Sequence, residues 1–124
     1  MLKMSQHPNI VELIDLFENQ EYYYIVLECM QGGDLFDYIS KLNYDLGETR
    51  CRQLSYQIGL GIKYLHSYGI VYRDLKLENV MMSNNSDTGI PKLADFGLAK
   101  MIGPNEKTDE PFGTLGYVAP EILR

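Results

Sequence analysis

The sequence is organised around one nine-residue stretch, Val71-Tyr72-Arg73-Asp74-Leu75-Lys76-Leu77-Glu78-Asn79. It brings a carboxylate, an ammonium and an amide together between Asp74 and Asn79, directly after an apolar helical pattern has ended. Such side chains are poorly suited to a hydrophobic core, because a buried charge has to be paired. They suit a loop that holds charge beside a substrate. The stretch therefore predicts a functional loop.

Three further segments stand in a fixed order around this loop. Upstream lies Leu27-Glu28-Cys29-Met30-Gln31-Gly32-Gly33-Asp34; downstream, Asp95-Phe96-Gly97 begins sixteen residues after Asn79, and Ala119-Pro120-Glu121 begins twenty-four residues after Asp95. In this order the four segments resemble the hinge, the catalytic loop, the metal-binding turn and the end of the activation segment of eukaryotic Ser/Thr protein kinases. The resemblance extends over essentially the whole chain.

Two branches of that family remain open. The segment Gly113-Thr114-Leu115-Gly116-Tyr117-Val118-Ala119-Pro120-Glu121 resembles the calcium/calmodulin-dependent group, whereas Tyr72-Arg73-Asp74 is more usual in the cyclic-nucleotide-dependent group. Both groups favour basic substrates. Neither resemblance implies that this chain itself binds calcium, calmodulin or a cyclic nucleotide.

Composition limits the partners and the compartment. The chain has 124 residues and a formal net charge of −6, from 11 basic and 17 acidic side chains, which argues against nucleic acid or an anionic membrane as the main partner. Its longest aromatic-aliphatic run, Tyr22 to Leu27, is too short to cross a bilayer. Cys29 and Cys51 share no metal-ligand spacing and suit free thiols in a reducing compartment. We therefore expect an intracellular, cytoplasmic protein, with the nucleus as an alternative compartment.

Periodicity and turn signals predict a mixture of strands and helices. The predicted elements are a helix end at residues 2–4, strands over 10–17 and 22–27, a helix capped by Asp34 and reaching Leu42, a main helix over 48–68, short strands over 80–82 and 92–94, and an exposed loop over 100–112. The main helix carries two apolar stripes and is predicted to be largely buried; they comprise Leu54, Ile58, Ile62 and Leu65, and Tyr56, Leu60 and Tyr64. Gly59 and Gly61 each disfavour this helix by about 1 kcal/mol relative to Ala, so tertiary packing must hold it.

The resemblance implies an α+β class and an incomplete, protein-kinase-like two-lobed fold. Residues 1–27 would form the remainder of the small lobe, residues 28–34 the hinge, and residues 35–124 the start of the large lobe. This corresponds to less than half of a kinase domain. The 124 residues contain no counterpart of the glycine-rich loop, of the strand lysine or of its helical glutamate partner, so we expect them to be inactive alone.

The resemblance implies that four residues carry the chemistry. Asp74 resembles the catalytic base, and Lys76 resembles the lysine that steadies the transferring phosphate. Asn79 and Asp95 resemble the ligands of Mg²⁺, which prefers oxygen donors. Leu77 stands where many relatives carry proline. Taken singly, each charged residue would be read as a turn, a cap or a solvated surface group.

The resemblance also implies where ATP and a protein substrate bind. The nucleotide-binding positions are Leu27 as gatekeeper, Glu28 and Met30 through the hinge backbone, and Asp34, Glu78 and Met81. Asp34 would contact ribose or a basic substrate side chain, and Glu78 is a second acid for a basic residue before the target. The alternative for Asp34 is a helix cap, and both roles are compatible.

Regulation and support are implied for a further set of residues. Arg73 matches the arginine that pairs with a charge on the activation loop, and Glu110 stands where many relatives carry a phosphorylated threonine. Thr108 is the nearest hydroxyl and an alternative phosphorylation site. Thr114 resembles the threonine that ties the substrate-docking loop to the catalytic loop. The hydrophobic stack between the lobes is predicted to contain Leu2, Leu13, Tyr72 and Phe96.

Three functional interpretations are open at this stage. The first is an ATP-dependent Ser/Thr protein kinase that uses Mg²⁺ and acts on proteins with basic residues before the target hydroxyl. The second is a non-catalytic kinase remnant that acts as a binding module. The third is a pseudokinase piece that binds nucleotide without transferring phosphate, which the presence of Asp74, Lys76, Asn79 and Asp95 disfavours.

Overall fold

The computed structural model describes residues 6–123. Its elements are β1 (Leu13–Glu18), β2 (Tyr23–Leu27), α1 (Leu35–Lys41), α2 (Glu48–Ser67), β3 (Ile70–Val71), β4 (Val80–Met82), β5 (Pro91–Leu93) and β6 (Lys100–Met101), with 3₁₀ turns at Leu77–Asn79 and Pro120–Ile122. This mixture agrees with the predicted α+β class. The predicted helix end at residues 2–4 and the stack member Leu2 lie outside the described residues.

Strands β1 and β2 form an antiparallel hairpin, as predicted. Its turn is closed by Asn19, whose Oδ1 accepts the N–H groups of Glu21 at 2.9 Å and Tyr22 at 2.8 Å. The first strand begins later than predicted, because Ile10 forms a parallel bridge with Leu93 instead. The residues before β1 are therefore bound to β5.

The hairpin exposes large apolar side chains on both of its faces. Ile14 is 62% exposed, Tyr23 is 75% exposed, and Tyr24 on the opposite face of β2 is also exposed. A two-stranded hairpin without a covering layer is marginally stable in water. Within residues 6–123, most of the packing that holds the fold must therefore come from the helices and from β4 and β5.

The helices begin and end close to their predicted positions. Asp34 caps α1, since its Oδ1 accepts the N–H of Asp37 at 2.8 Å. Gly69 lies two residues beyond the end of α2 with φ of 68°, a conformation that glycine adopts readily. The prediction that α2 is largely buried is wrong, because Tyr56 on its second stripe is 68% exposed. The fully buried members of the two stripes, Leu54 and Leu65, both belong to the first stripe.

The short strands pair across loops. β4 and β5 pair antiparallel as expected, although β5 begins one residue before the predicted position. β3 pairs with β6, so the predicted exposed loop over 100–112 is wrong at its first two residues. That pairing fixes the chain immediately before the predicted functional loop to the chain after Asp95. It could not be read from two-residue segments with no alternating pattern.

The core lies between α1, α2 and the β4–β5 pair. Its buried members are Ile10, Leu35, Tyr38, Leu54, Leu65, Tyr72, Val80, Met82 and Leu93. Tyr72 and Val80 belong to this core and flank the predicted functional loop on either side, so both ends of that loop are anchored. Cys29 and Cys51 are exposed free thiols. Among the described residues, no helix is both long enough and apolar enough to span a bilayer.

The two interior glycines of α2 differ in their surroundings, which generates a matched pair of predictions. A Cβ at Gly61 would lie 2.9 Å from the Asn9 carbonyl oxygen, whereas a Cβ at Gly59 would meet nothing within 4 Å. Gly61→Ala should lower the free energy of unfolding by about 1–3 kcal/mol through overpacking. Gly59→Ala should raise it by up to about 1 kcal/mol through helix propensity. Thermal unfolding of the full-length protein measures both, and equal effects would contradict this packing of α2 on Asn9.

Candidate active site

The functional loop centres on the carboxylate of Asp74, which is largely buried. The side-chain amide of Asn79 donates to the Asp74 backbone oxygen at 2.9 Å and to Asp74 Oδ2 at 2.8 Å. The short 3₁₀ turn at Leu77–Asn79 makes this approach possible, because it returns the chain toward Asp74. The amide nitrogen of Asn79 is thus committed to Asp74, and its side-chain oxygen is the atom suited to a cation.

A second loop reaches the same carboxylate from the far end of the chain. Thr114 Oγ1 donates to Asp74 Oδ1 at 2.5 Å, and Lys76 Nζ donates to Thr114 Oγ1 at 2.9 Å. Lys76 Nζ also lies 3.3 Å from Asp74 Oδ2. The hydrogen bond from Thr114 is the largest influence on the pKa of Asp74, and with Asn79 and Lys76 it lowers that pKa despite partial burial. Asp74 is therefore a carboxylate at neutral pH.

Asp95 lies in a tight turn directly after β5. Its φ is 51°, which is uncommon for a residue other than glycine, and its Oδ1 accepts the N–H of Gly97 at 3.1 Å. The N–H of Ala94 donates to the Asn79 carbonyl at 2.9 Å, which ties this turn to the catalytic loop. Carboxylate and amide oxygens from Asp95 and Asn79 fit Mg²⁺, which commonly uses few protein ligands together with substrate phosphates.

Tyr72 connects the same two segments, the loop that ends at Asn79 and the turn at Asp95. Its ring is buried and packs edge-on against Phe96, with centroids 5.3 Å apart. Its hydroxyl donates to the Ala94 carbonyl and lies 3.4 Å from the Asn79 carbonyl. Burial first, and then the charges of Asp95 and Asp74, raise the pKa of Tyr72, so the phenol remains a donor. Sequence reasoning placed Tyr72 and Phe96 in an apolar stack and missed the hydroxyl bridge, for which the tyrosine hydroxyl was the available signal.

The predicted hinge is attached to β4 by backbone hydrogen bonds. The N–H of Gly32 donates to the Met82 carbonyl at 2.9 Å, and the N–H of Met82 donates to the Gly33 carbonyl at 2.8 Å. These bonds, with the bridge between Asp34 and Met81, bring two predicted nucleotide-binding positions side by side. Leu27 and Met30 lie on either side of Glu28 at the end of β2.

The side chain of Glu28 has a partner that sequence reasoning did not identify. Lys92 Nζ donates to both of its carboxylate oxygens, at 2.6 and 2.8 Å. Burial would raise the pKa of Glu28, but the bonds from Lys92 and from the N–H of Glu12 hold it below its ordinary value. These partners are distant in sequence, so no local pattern indicated them.

Two acids predicted to contact a basic substrate lie on neighbouring elements. Asp34 is the N-cap of α1, and Glu78 lies in the turn at Leu77–Asn79, against which α1 packs. The cap occupies one oxygen of Asp34, as the alternative interpretation required. Its cap role and a binding role remain compatible.

Arg73 and Glu110 form the contact that the resemblance implied. Arg73 Nη1 lies 2.7 Å from Glu110 Oε2, and Arg73 Nε donates to the Leu98 carbonyl at 2.6 Å. The guanidinium also stacks over the ring of Phe112, 4.8 Å from its centroid. Arg73 thereby joins the predicted functional loop to the segment after Asp95 at two places, near Leu98 and near Glu110.

Glu110 is held by a second cation as well. Lys100 Nζ lies 3.0 Å from Glu110 Oε2, and Thr108 Oγ1 lies within 3.4 Å of both groups. Arg73 first, and then Lys100, lower the pKa of Glu110 to about 2. Its stabilising charge is therefore fully present above the ordinary value of 4.5 and is lost as the pH falls through about 2.

Removal of that charge should loosen the loop without unfolding the protein. In the full-length protein, Glu110→Gln should increase hydrogen exchange of residues 103–113 by about two- to tenfold, because exposed charged bonds contribute modestly. Asp109→Asn, which removes a neighbouring exposed carboxylate, is the matched control. Between pH 8 and pH 5 the unmodified protein should show no change beyond the intrinsic exchange rate. Equal effects of the two substitutions would contradict the role assigned to Glu110.

Comparison with known proteins supports the same family. The model of the protein kinase domain matches residues 1–124. The chain is 43% identical over 124 residues to the Ser/Thr protein kinase RAD53 of Saccharomyces cerevisiae, covering 100% of this chain and 15% of that protein. It is 42% identical to PLK4 of Nematostella vectensis, covering 94% of this chain and 12% of that kinase. A probable myosin light chain kinase of Dictyostelium discoideum is also 42% identical, with 99% and 31% covered.

The chain thus spans between 12 and 31% of the length of these three relatives. The match covers the whole chain, and the matched region contains the Asp74 carboxylate with its three side-chain partners. This chain belongs to the eukaryotic Ser/Thr protein kinase domain family and forms part of a protein-kinase-like fold.

Proposed function

We propose that this chain carries the catalytic part of an ATP-dependent protein kinase that transfers the γ-phosphate of ATP to serine or threonine hydroxyls. The observation that carries the proposal is the placement of Asp74. One ionised carboxylate receives hydrogen bonds from Asn79 and Thr114 and lies beside the ammonium of Lys76. Phosphoryl transfer depends mainly on positioning and electrostatic stabilisation, and this cluster supplies both.

Each residue of the cluster has a separate task in this mechanism. Asp74 orients the substrate hydroxyl and accepts its proton as that oxygen bonds the γ-phosphorus and the bond from the γ-phosphorus to the leaving ADP breaks. Lys76 places positive charge where the transferring phosphoryl group develops negative charge. Asn79 and Asp95 would hold Mg²⁺, which neutralises phosphate charge when bound. Tyr72 keeps the segments that carry these two residues in register.

The bridge between Lys76 and Thr114 supports action on serine and threonine. This bridge lies against Asp74, so the target hydroxyl of the substrate must come close to the loop backbone. A short serine or threonine side chain does this more readily than a tyrosine phenol. The intact set of Asp74, Lys76, Asn79 and Asp95 favours catalysis over the two alternatives, a binding module or a nucleotide-binding pseudokinase. The exposed thiols of Cys29 and Cys51 and the use of ATP support an intracellular setting.

The first test is phosphate transfer by the full-length protein with Mg-ATP and an array of serine, threonine and tyrosine peptides. We expect serine or threonine peptides to react faster than tyrosine peptides. Asp74→Asn should lower kcat by about 10²–10⁴-fold, the range for loss of a positioned acid or base. Asp87→Asn, in the exposed turn after β4, should leave the rate unchanged. Faster tyrosine phosphorylation, or full activity of the Asp74 variant, would contradict the proposal.

The second test concerns basic substrates. Replacing an arginine shortly before the target with alanine should lower kcat/KM by about 10–100-fold, since a charge-assisted bond contributes roughly 1.5–3 kcal/mol. Asp34→Asn and Glu78→Gln should reduce the ratio of kcat/KM between the arginine and alanine peptides. Asparagine at position 34 preserves the helix cap. Asp37→Asn, one turn further along α1, is the control and should keep it. An unchanged ratio in the first two variants would assign arginine selectivity elsewhere.

A third test addresses the 124-residue polypeptide expressed by itself. We expect no cooperative thermal transition and no phosphate transfer, because both faces of the β1–β2 hairpin expose apolar side chains. The sequence also contains only part of the residues that cradle ATP in this family. A cooperative transition that millimolar Mg-ATP raises, with turnover that Asp74→Asn abolishes, would show that this polypeptide is self-sufficient.

A further inference from the structure

A charged cluster outside the catalytic carboxylates joins the hinge to the strand that leads to Asp95. Lys92 Nζ donates to Glu28 at 2.6 and 2.8 Å, and Glu28 Oε1 also accepts the N–H of Glu12 at 2.8 Å. The side chains of Lys92 and Glu28 are only 16% and 24% exposed. The pair is therefore shielded from much of the screening that weakens surface ion pairs.

Backbone bonds make this cluster a junction of three segments. The Glu28 N–H donates to the Glu12 carbonyl at 3.0 Å, so Glu28 holds Glu12 through both its main chain and its side chain. Lys92 occupies the middle of β5, and its neighbour Leu93 bonds the backbone of Asn9 and Val11 on both sides. Movement of Glu28 relative to β5 must therefore break charged bonds.

The position of Lys92 along β5 determines which segments the ion pair connects. Pro91 and Leu93 are buried on one face of the strand, and Lys92 extends from the other face to Glu28. Two residues after Leu93 comes Asp95, and two residues after Glu28 comes Met30. One ammonium group thus connects the strand that leads to a predicted Mg²⁺ ligand with the hinge that carries the predicted adenine contacts.

Such a pair is better suited to fixing position than to raising stability. Desolvation offsets much of the attraction within a shielded ion pair, whereas removal of one partner leaves the other charge uncompensated. Glu12 is the second carboxylate near Lys92, and its exposed side chain lets its charge remain in water. Neutralising Lys92 would leave Glu28 with its backbone donor and no cation.

We propose that Lys92 is a positioning residue that holds the hinge at Glu28 and thereby sets the affinity for the nucleotide. The inference rests on the proposed kinase function. Lys92 touches no reacting atom, and its effect passes through Glu28 to the hinge backbone at Met30. Preorganised binding groups give higher affinity because less order has to be imposed when the ligand arrives.

The test measures KM for ATP and kcat in the full-length protein with Lys92→Met, Lys92→Arg and Lys63→Met. Methionine keeps the length of lysine without its charge, and Lys63 is an exposed lysine on α2. We expect Lys92→Met to raise KM for ATP about three- to tenfold while kcat at saturating ATP changes less than about twofold. Lys92→Arg should restore most of the affinity, and Lys63→Met should have no effect. Unchanged KM, a lowered KM, or a loss confined to kcat would overturn the inference.

A second variant keeps the inference falsifiable if Lys92→Met fails to fold. Glu28→Gln retains an oxygen for the N–H of Glu12 and loses the charge that pairs with Lys92. It should raise KM for ATP by a similar factor and increase hydrogen exchange at Met30, and the absence of both changes would overturn the inference. Failure of the proposed function is distinguishable, since the unmodified protein would then transfer no phosphate to any peptide.

Discussion

The hydrogen bonds to the carboxylate of Asp74 are the constraint on which the rest of the site depends. Their donors come from Asn79 in the same loop and from Thr114, which lies forty residues after Asp74. A carboxylate in this largely buried position must be compensated, and Lys76 contributes the nearby cation. The loop at Asp74, the 3₁₀ turn and the segment at Thr114 therefore have to be formed together, because each supplies one part of the compensation.

The carbonyl of Asn79 extends this constraint to the turn at Asp95. It accepts the N–H of Ala94 and lies near the hydroxyl of Tyr72, which itself donates to the Ala94 carbonyl. Four polar groups are satisfied in a region where an unpaired one would be costly. The same bonds that remove this penalty hold the proposed Mg²⁺ ligands in fixed relative positions, so local stability and the proposed catalytic geometry have a common origin.

Charge pairs then connect this site to the segments at Glu110 and at Glu28. Arg73 and Lys100 hold Glu110 on the activation segment, and Lys92 holds Glu28 at the hinge. Both clusters use side chains that are far apart in sequence, and both sit at the edge of the packed core. Their energetic contribution to stability is modest by comparison with the core. Their consequence is geometric, because they limit how the segments on either side of Asp74 and Asp95 can move.

The sequence by itself determined the identity of the fold and the order of its segments. Asp74, Lys76, Asn79 and Asp95 stand at recognisable spacings, and the caps at Asp34 and Gly69 are local signals that mark where helices begin and end. Tertiary structure alone decided which face of α2 is buried, that β3 pairs with β6, and that Lys92 meets Glu28. These features depend on contacts between residues about thirty or more positions apart, or on which neighbours cover an apolar stripe. Periodicity and capping report only the local chain, so they could not supply that information.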